Sequence, residues 1–537
     1  MKSIHANHFL QTFSLAALLG AALFGFSPGA GAEASMASTN ATSAPLPHRP
    51  SIILIVADGL GYGDLSCYGQ TKFQTPNLDR LAAEGVRFTS YYAGGAVGSP
   101  SRAALLLGRD PGHLKQRADV DVPLAADNIT VAQTLQQSGY HTGLLGAWNL
   151  GGDGTTGAPW HQGFDEFAGY FDPDDAQNYY ADYVWRYAPR SFMNPTNNQM
   201  EDFIGREMLY ANTTANKSIY TPDLLTKAAL NFVKINEPNK LNQYRPFFLL
   251  LNYNVPGPGT GPVPTDAPFS NEPWPQPEKN KAAMMARLDG YIGQLLEQLQ
   301  KFGLTTNTAI FFTSDTGPQP GGGTDPTFFS SAGPFRGGRG NLYEGGLRVP
   351  MIVHWPAKIP GGQVSELQWA AWDFLPTATE IALVKPPADI DGLSVLPALT
   401  GQTQTNRHEF FHWELRGRNV WHTVRMGNWE AVQPGTDAPL ELYNLITDPG
   451  ETKDVASQNP DVTRKFVDLL KSLAVSIAVP AEPAPSLEPP GTNAAAIAST
   501  AVAGPASENK SPIWLLALPL IVILPFLIWW LKSKTNR

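Results

Sequence analysis

The sequence predicts an α/β fold: a mainly parallel central sheet flanked by helices, followed by a small C-terminal antiparallel sheet plus helix. Three observations predict it. The run Ser51 to Ala57 is continuously apolar and rich in β-branched residues, the mark of a strand buried on both faces. A strand-like segment at 141–145 and apolar runs at 309–313 and 349–353 alternate with helical patterns, as strands of a parallel sheet do. After about Pro386 the texture changes to short strand-like pieces at 410–414, 421–426, 429–432 and 440–443, which suit an antiparallel sheet.

The elements follow in order. Lys2 and the apolar stretch from Phe9 to Phe26 precede Ala30-Gly31-Ala32, a small-x-small cleavage site, so residues 1–32 read as a signal peptide cut before Glu33. Residues 33–49, rich in Ala, Ser, Thr and Pro, read as a flexible lead-in. The main domain is expected over 50–385. Within it Thr75 caps a helix that opens with Pro76 and lays Leu78, Leu81 and Ala82 on one face. Thr130 to Gln137 reads as helical. Ala282 to Lys301 is a long amphipathic helix carrying Met285, Leu288, Ile292, Leu295 and Leu299 on one side. The Pro-rich stretch 256–277, with Trp274, reads as a surface loop that could dock a partner.

Residues 386–478 form the C-terminal subdomain, closed by a helix that starts at Asn459-Pro460 and carries Val462, Phe466, Leu469, Leu470 and Leu473. Residues 479–512 are a Pro/Ala-rich linker. Residues 513–531 hold no charge and would span about 28 Å as a helix, close to a bilayer's hydrocarbon thickness. Trp514, Trp529 and Trp530 sit near its ends, and Lys532, Lys534 and Arg537 in the tail 532–537 place that end in the cytoplasm. A tail removed by a sorting enzyme has the same pattern. The expectation is an exported ectodomain, periplasmic or extracellular, anchored by a C-terminal transmembrane helix.

Composition narrows the partners. At 42% hydrophobic and 16% charged residues the chain can build a packed core. A net charge of −9 argues against nucleic acid, which is bound through clustered Lys and Arg. Cys67 is the single cysteine, so no intramolecular disulfide exists, and no nucleophilic motif surrounds it.

Several ordered motifs carry chemistry. They are Asp58-Gly59-Leu60-Gly61, Thr75-Pro76-Asn77-Leu78-Asp79-Arg80, Ser99-Pro100-Ser101-Arg102, Ser314-Asp315-Thr316-Gly317 and Tyr343-Glu344-Gly345-Gly346-Leu347-Arg348. With Glu441-Leu442-Tyr443 and Asp448-Pro449-Gly450-Glu451 further on, the chain from about 50 to 475 resembles the sulfatase family, arylsulfatase-like members of the alkaline-phosphatase superfamily. Fold alone does not fix activity.

The resemblance implies sulfuric ester hydrolysis by a formylglycine made from the Cys of a Cys-x-Pro-Ser-Arg motif. Gly98 stands at that nucleophile position and has no side-chain carbon to oxidise; Arg102, which the resemblance places beside the modified residue, is retained. The resemblance also implies a calcium ion held by two early acids and a late Asp-Asn pair. Here those positions are Asp58, Gly59, Asp315 and Thr316, so calcium binding is expected to be weak. Ala147 and Asn149 replace the Lys and His of Gly-Lys-Trp-His, Gly257 replaces the His of a late Pro-His, and Arg339 replaces a Lys. None of the ten histidines falls on these positions. Losing nucleophile, acid and metal ligands together predicts a degenerate metal site and a pseudoenzyme. Its partners would be a sulfated glycan or an envelope protein. Two alternatives remain: a sulfate- or phosphate-ester hydrolase using a hydroxyl nucleophile, Ser99 or Ser101, and an interaction module only.

Overall fold

The computed structural model describes residues 49–476, apart from 119–121, 173–174, 176–178, 211, 213–216, 239–244, 258–262 and 418. The leader, linker, C-terminal apolar segment and tail expected from the sequence lie outside the described residues. Among the described residues no helix is long and apolar enough to cross a membrane.

The strands in chain order are β1 (Ser51–Asp58), β2 (Val86–Phe88), β3 (Tyr91–Tyr92), β4 (His141–Ala147), β5 (Glu166–Tyr170), β6 (Tyr183–Asn194), β7 (Gln199–Tyr210) and β8 (Phe247–Pro256). They continue as β9 (Thr308–Ser314), β10 (Met351–His354), β11 (Gln363–Ser365), β12 (Trp369–Ala370), β13 (Phe411–Arg416), β14 (Val420–Met426), β15 (Trp429–Gln433) and β16 (Glu441–Asn444). Nine helices accompany them among the described residues: α1 (Pro76–Ala83), α2 (Gly98–Leu107), α3 (Val131–Gln137), α4 (Thr221–Ile235), α5 (Gln276–Lys301), α6 (Glu344–Leu347), α7 (Phe374–Ile381), α8 (Leu396–Leu399) and α9 (Pro460–Ser476).

Ten strands form the central sheet in the order β11-β2-β10-β9-β1-β8-β4-β5-β6-β7. β1 is central because its two neighbours, β8 and β9, both run parallel to it and cover both of its edges. Its side chains alternate between two cores, as a strand's period of two requires. Ile52, Leu54 and Val56 join the core that holds α2, α3 and α7. Ile53, Ile55 and Ala57 join the core under α1, α4 and α5. Truncating one such residue, Leu54→Ala, costs about 2–5 kcal/mol.

Local signals behave as the sequence reading has them. Thr130 opens α3 with a full capping box: its hydroxyl accepts from Gln133 N, and the Gln133 side chain accepts from Thr130 N at 2.9 Å. Thr75 sits at the α1 cap, but its hydroxyl is taken by Ser66, 2.8 Å away. β10 runs antiparallel to β9, so the sheet is mixed at that side. Its far side ends in the long hairpin β6–β7, which is antiparallel throughout. Residues 264–273 are mostly exposed, as the surface-loop expectation has it. Trp274 is half-buried, stacked on Phe269 and edge-on to Phe328 and Phe329, and anchors that loop.

The C-terminal sheet β13-β14-β15-β16 is wholly antiparallel, and α9 covers it through Phe466 against Val424, Ala431 and Leu442. It is tied to the main domain by Trp413, whose indole N–H donates to Ala93 O at 3.0 Å. A buried charge cluster completes the tie: Glu344 of α6 accepts from Arg348 at 2.8 Å and from Arg425 of β14 at 2.6 Å.

Candidate functional site

The parallel strands β1, β4, β8 and β9 end together, and the sequence-predicted positions follow their C-terminal ends. That is where open α/β sheets place their ligands. Asp58 closes β1, Asp315 follows β9, Asn149 follows β4 and Gly257 follows β8. The backbone binds these ends to one another. Asp315 N donates to Ala57 O at 3.0 Å, Gly257 N donates to Asp58 O at 2.8 Å, and Leu60 N donates to Ser314 Oγ at 2.9 Å. Gly59 turns with φ +62° and Gly257 with φ +45°, left-handed values that suit glycine.

α2 points its N-terminus into this edge. Its first residue is Gly98, Pro100 lies in the first turn where its missing N–H costs nothing, and Gly108 stops it with φ +66°. All ten of its residues are buried. Helical spacing sets Arg102 one turn below Gly98, on the same face.

Two ion pairs dominate the site. Arg102 Nη2 lies 2.8 Å from Asp315 Oδ2, and Arg339 Nη1 lies 2.9 Å from Asp58 Oδ1. Asp315 also accepts from Gly59 N at 3.0 Å. A side chain at position 98 would enter the space between the two arginines. A Cβ built on Gly98 stands 2.8 Å from Arg102 Nη1 and 3.5 Å from Arg339 Nη2. Nε and Nη1 of Arg102 are buried and have no hydrogen-bond partner among the described residues.

The remaining positions are inert in acid–base terms. Ala147 is fully buried, and its carbonyl accepts from Asn252 Nδ2 at 2.9 Å. Asn149 has φ +60°, a value asparagine tolerates, and its buried Oδ1 has no hydrogen-bond partner among the described residues. Ser99 is 1% exposed and donates to Asn149 O at 3.3 Å, so no side-chain base holds it. The Ser101 hydroxyl accepts from Gly94 N at 3.0 Å. The Thr316 hydroxyl is directed at Gly317 O at 3.1 Å and Asp315 Oδ1 at 3.4 Å.

A divalent cation does not fit this arrangement. Calcium takes about six to eight oxygens. Gly59 brings no side-chain oxygen, Thr316 brings a hydroxyl, and both carboxylates already face guanidinium groups. An added ion would meet two fixed positive charges. Like unit charges 4 Å apart repel by about 4 kcal/mol at an effective dielectric of 20.

Two further residues escaped the sequence reading. Lys281 of α5 is 8% exposed and turned inward, its Nζ 2.7 Å from Ser331 Oγ and 3.4 Å from Asp64 Oδ1. It lines, with Gly59 and Gly257, a cavity of about 30 Å³, far below the ~300–1,000 Å³ of ordinary ligand pockets. A lysine four residues before Met285 and seven before Leu288 on an apolar helix face was the available signal. Ser314 was legible only as part of the Ser314-Asp315-Thr316-Gly317 motif, and its role as acceptor from Leu60 N carried no signal. Cys67 is half-buried, and burial together with Asp79 pushes its thiol up to about 12, which keeps it unreactive.

Comparisons with known proteins identify the fold and the family. Residues 50–383 match the family model Sulfatase, and residues 338–476 match the model N-sulphoglucosamine sulphohydrolase, C-terminal. The chain is 31% identical to arylsulfatase A of Homo sapiens over 480 residues, covering 82% of this chain and 90% of the relative. It is 30% identical to N-acetylgalactosamine-6-O-sulfatase of Bacteroides thetaiotaomicron over 493 residues, covering 79% and 93%. Among solved structures, Ps i-CgsB in complex with k-i-k-neocarrahexaose superposes with a TM-score of 0.65 at 28% identity, covering 79% of this chain and 92% of that one.

Proposed function

The chain belongs to the sulfatase family, and from that premise we propose that it is a member unable to hydrolyse sulfate esters. One observation carries this reading. The place of the nucleophile's side chain lies 2.8 Å from Arg102 Nη1 and 3.5 Å from Arg339 Nη2, and the same two arginines neutralise Asp58 and Asp315. Hydrolysis needs an attacking oxygen, a cation or donors for the developing charge, and an acid for the leaving group. Only the second survives, as guanidinium. The altered-nucleophile reading, with Ser99 attacking, meets a buried hydroxyl hydrogen-bonded to a backbone carbonyl. Such a hydroxyl lacks the adjacent base that activation requires.

The ligand class we assign is a sulfated glycan, in keeping with the name of the B. thetaiotaomicron relative. Arg102 Nη1 and Arg339 Nη2, which face the space at position 98, are suited to a sulfate oxygen. The leader at 1–32 and the uncharged span 513–531 support an exported protein held at a membrane. The test is incubation of the purified full-length chain with an aryl sulfate and with N-acetylgalactosamine 6-sulfate, each with added calcium and with EDTA. The reading expects no sulfate release in any condition. Release that disappears in Ser99→Ala would establish the altered-nucleophile hydrolase in its place.

A further inference from the structure

After α2 the chain turns through Pro111–His113, and a second constellation forms there, away from the arginine pairs. His113 Nδ1 lies 2.9 Å from Asp391 Oδ2 and 3.3 Å from Asp110 Oδ2. One ligand atom from each of these three residues falls within 4.8 Å of the others. Backbone fixes the carboxylates: Asp110 N donates to Asp391 Oδ2 at 2.9 Å, and Gly112 N donates to Asp110 Oδ1 at 2.7 Å.

A second observation, on a different element, points into the same place. His412 of β13 is 2% exposed, and its buried Nδ1 has no hydrogen-bond partner among the described residues and lies 4.0 Å from Asp110 Oδ1. Its other nitrogen, Nε2, meets His422 Nδ1 at 3.3 Å, and the two rings stack at 14°. One of these nitrogens donates and the other accepts. If His412 Nε2 donates, its Nδ1 lone pair faces a carboxylate, two electron-rich atoms with nothing positive between them. If it accepts, the Nδ1–H points across a gap too wide for a hydrogen bond. A cation in the gap satisfies the first arrangement.

We propose that Asp110, His113 and Asp391, whose ligand atoms converge, bind a divalent transition metal of the zinc class, and that His412 Nδ1, 4.0 Å from Asp110 Oδ1 and outside that trio, is drawn in as the fourth donor. Two imidazole nitrogens and two carboxylate oxygens are a zinc-type donor set, with metal–ligand distances of about 2.0–2.2 Å. The ion displaces the proton between His113 Nδ1 and the carboxylates, which passes to solvent. His422 holds the His412 ring in place, the role an outer partner plays for a metal-bound histidine. His113, with 42% of its side chain exposed, gives the ion a way in. The donors come from the turn after α2, from the segment before α8 and from β13, so the ion would pin the C-terminal sheet to the main domain.

The test uses the untagged full-length chain, stripped with EDTA, loaded with Zn²⁺, dialysed, and assayed for metal by mass spectrometry. The proposal expects about one zinc per chain, a raised Tm, and an affinity lower by about tenfold or more in His113→Gln and in Asp391→Asn. Zinc-free wild type, or zinc held equally by the His113→Gln/Asp391→Asn double variant, overturns it. Should the variants fail to fold, Co²⁺ on the wild type decides. The intense visible absorption of a four-coordinate ion supports the site, and the spectrum of the hydrated ion overturns it. Neither result bears on sulfate release, which rests on Gly98 and its arginines.

Discussion

Arg339 Nη1 sits 2.9 Å from Asp58 Oδ1, a contact between residues 281 positions apart that closes the end of the central strand with an internal cation. Arg102 does the same for Asp315, with less solvent: the two side chains are 6% and 1% exposed. Two positive and two negative side chains thereby balance at a place where the family resemblance implies a metal.

Restoring a side chain at position 98 should not restore the family's chemistry. Gly98→Ala or Gly98→Cys brings a Cβ within 2.8 Å of Arg102 Nη1, which Asp315 holds in place. Arg102 Nη1 is the far end of a flexible side chain, so the clash is costly only because moving it strains the ion pair with Asp315. Overpacking of this kind costs about 1–3 kcal/mol, and the helix-interior gain of Ala over Gly does not apply at the first helical residue. Urea denaturation should show both variants destabilised by about 1–2 kcal/mol, and Gly98→Cys co-expressed with the formylglycine-generating enzyme should remain inactive.

Breaking the buried pair from one side should cost more. Arg102→Ala leaves Asp315 charged and 1% exposed, and such losses run to about 3–5 kcal/mol. Arg102→Ala combined with Asp315→Ala should recover part of that loss, because no buried charge is then left alone. A double variant destabilised by the sum of Arg102→Ala and Asp315→Ala, each measured alone in denaturant melts, would show that the pair is not coupled.

Ser99→Ala should change little. Its hydroxyl makes one 3.3 Å bond to a carbonyl, a loss of about 1 kcal/mol or less, and a sulfonyl-type probe should label wild type and variant alike at background level.

The tie to the C-terminal sheet should be sensitive to pH. Burial would raise Glu344, but Arg425 and Arg348 overcome it and hold this carboxyl ionised at about 2. Glu430 and Glu451 are pushed the other way, first by burial and then by neighbouring carboxylates, with Glu451 rising to about 8. A carboxyl whose pKa is raised on folding favours the folded state fully below the unfolded value. That contribution is lost as pH climbs through the folded value. Glu451→Gln keeps the shape and removes the proton equilibrium. The stability difference between wild type and Glu451→Gln should therefore move against the wild type between about pH 4.5 and pH 8; a flat difference would refute the assignment. Histidines held neutral by burial, His354 and His422 among them, act in the opposite sense at low pH but cancel in this comparison.

Much of this was legible in the chain. Ile52 to Ala57 announced a strand buried on both faces, Thr130 and Gln133 announced a helix start, and Ser99-Pro100-Ser101-Arg102 announced a segment of the site, which the structure places in α2. The hairpin β6–β7 was not legible, because Tyr183–Asn194 mixes aromatic, charged and proline residues without clean alternation. Nor were the pairings Arg102–Asp315 and Arg339–Asp58, which join residues more than 200 positions apart and are made by the crossing of strand ends, not by local pattern. The anchoring of the surface loop by Trp274 was not legible either, because its partners Phe328 and Phe329 come from another segment. His412 gave no hint either, since a lone histidine in a strand is silent until Asp110 is folded against it.

Calcium titration of the EDTA-treated full-length chain, followed by calorimetry beside the Asp58→Asn/Asp315→Asn variant, tests most directly whether guanidinium groups stand in the cation's place. The account predicts that wild type and variant give the same heat, with no saturable binding that depends on Asp58 and Asp315. One equivalent of calcium bound by the wild type and lost in the variant would contradict it.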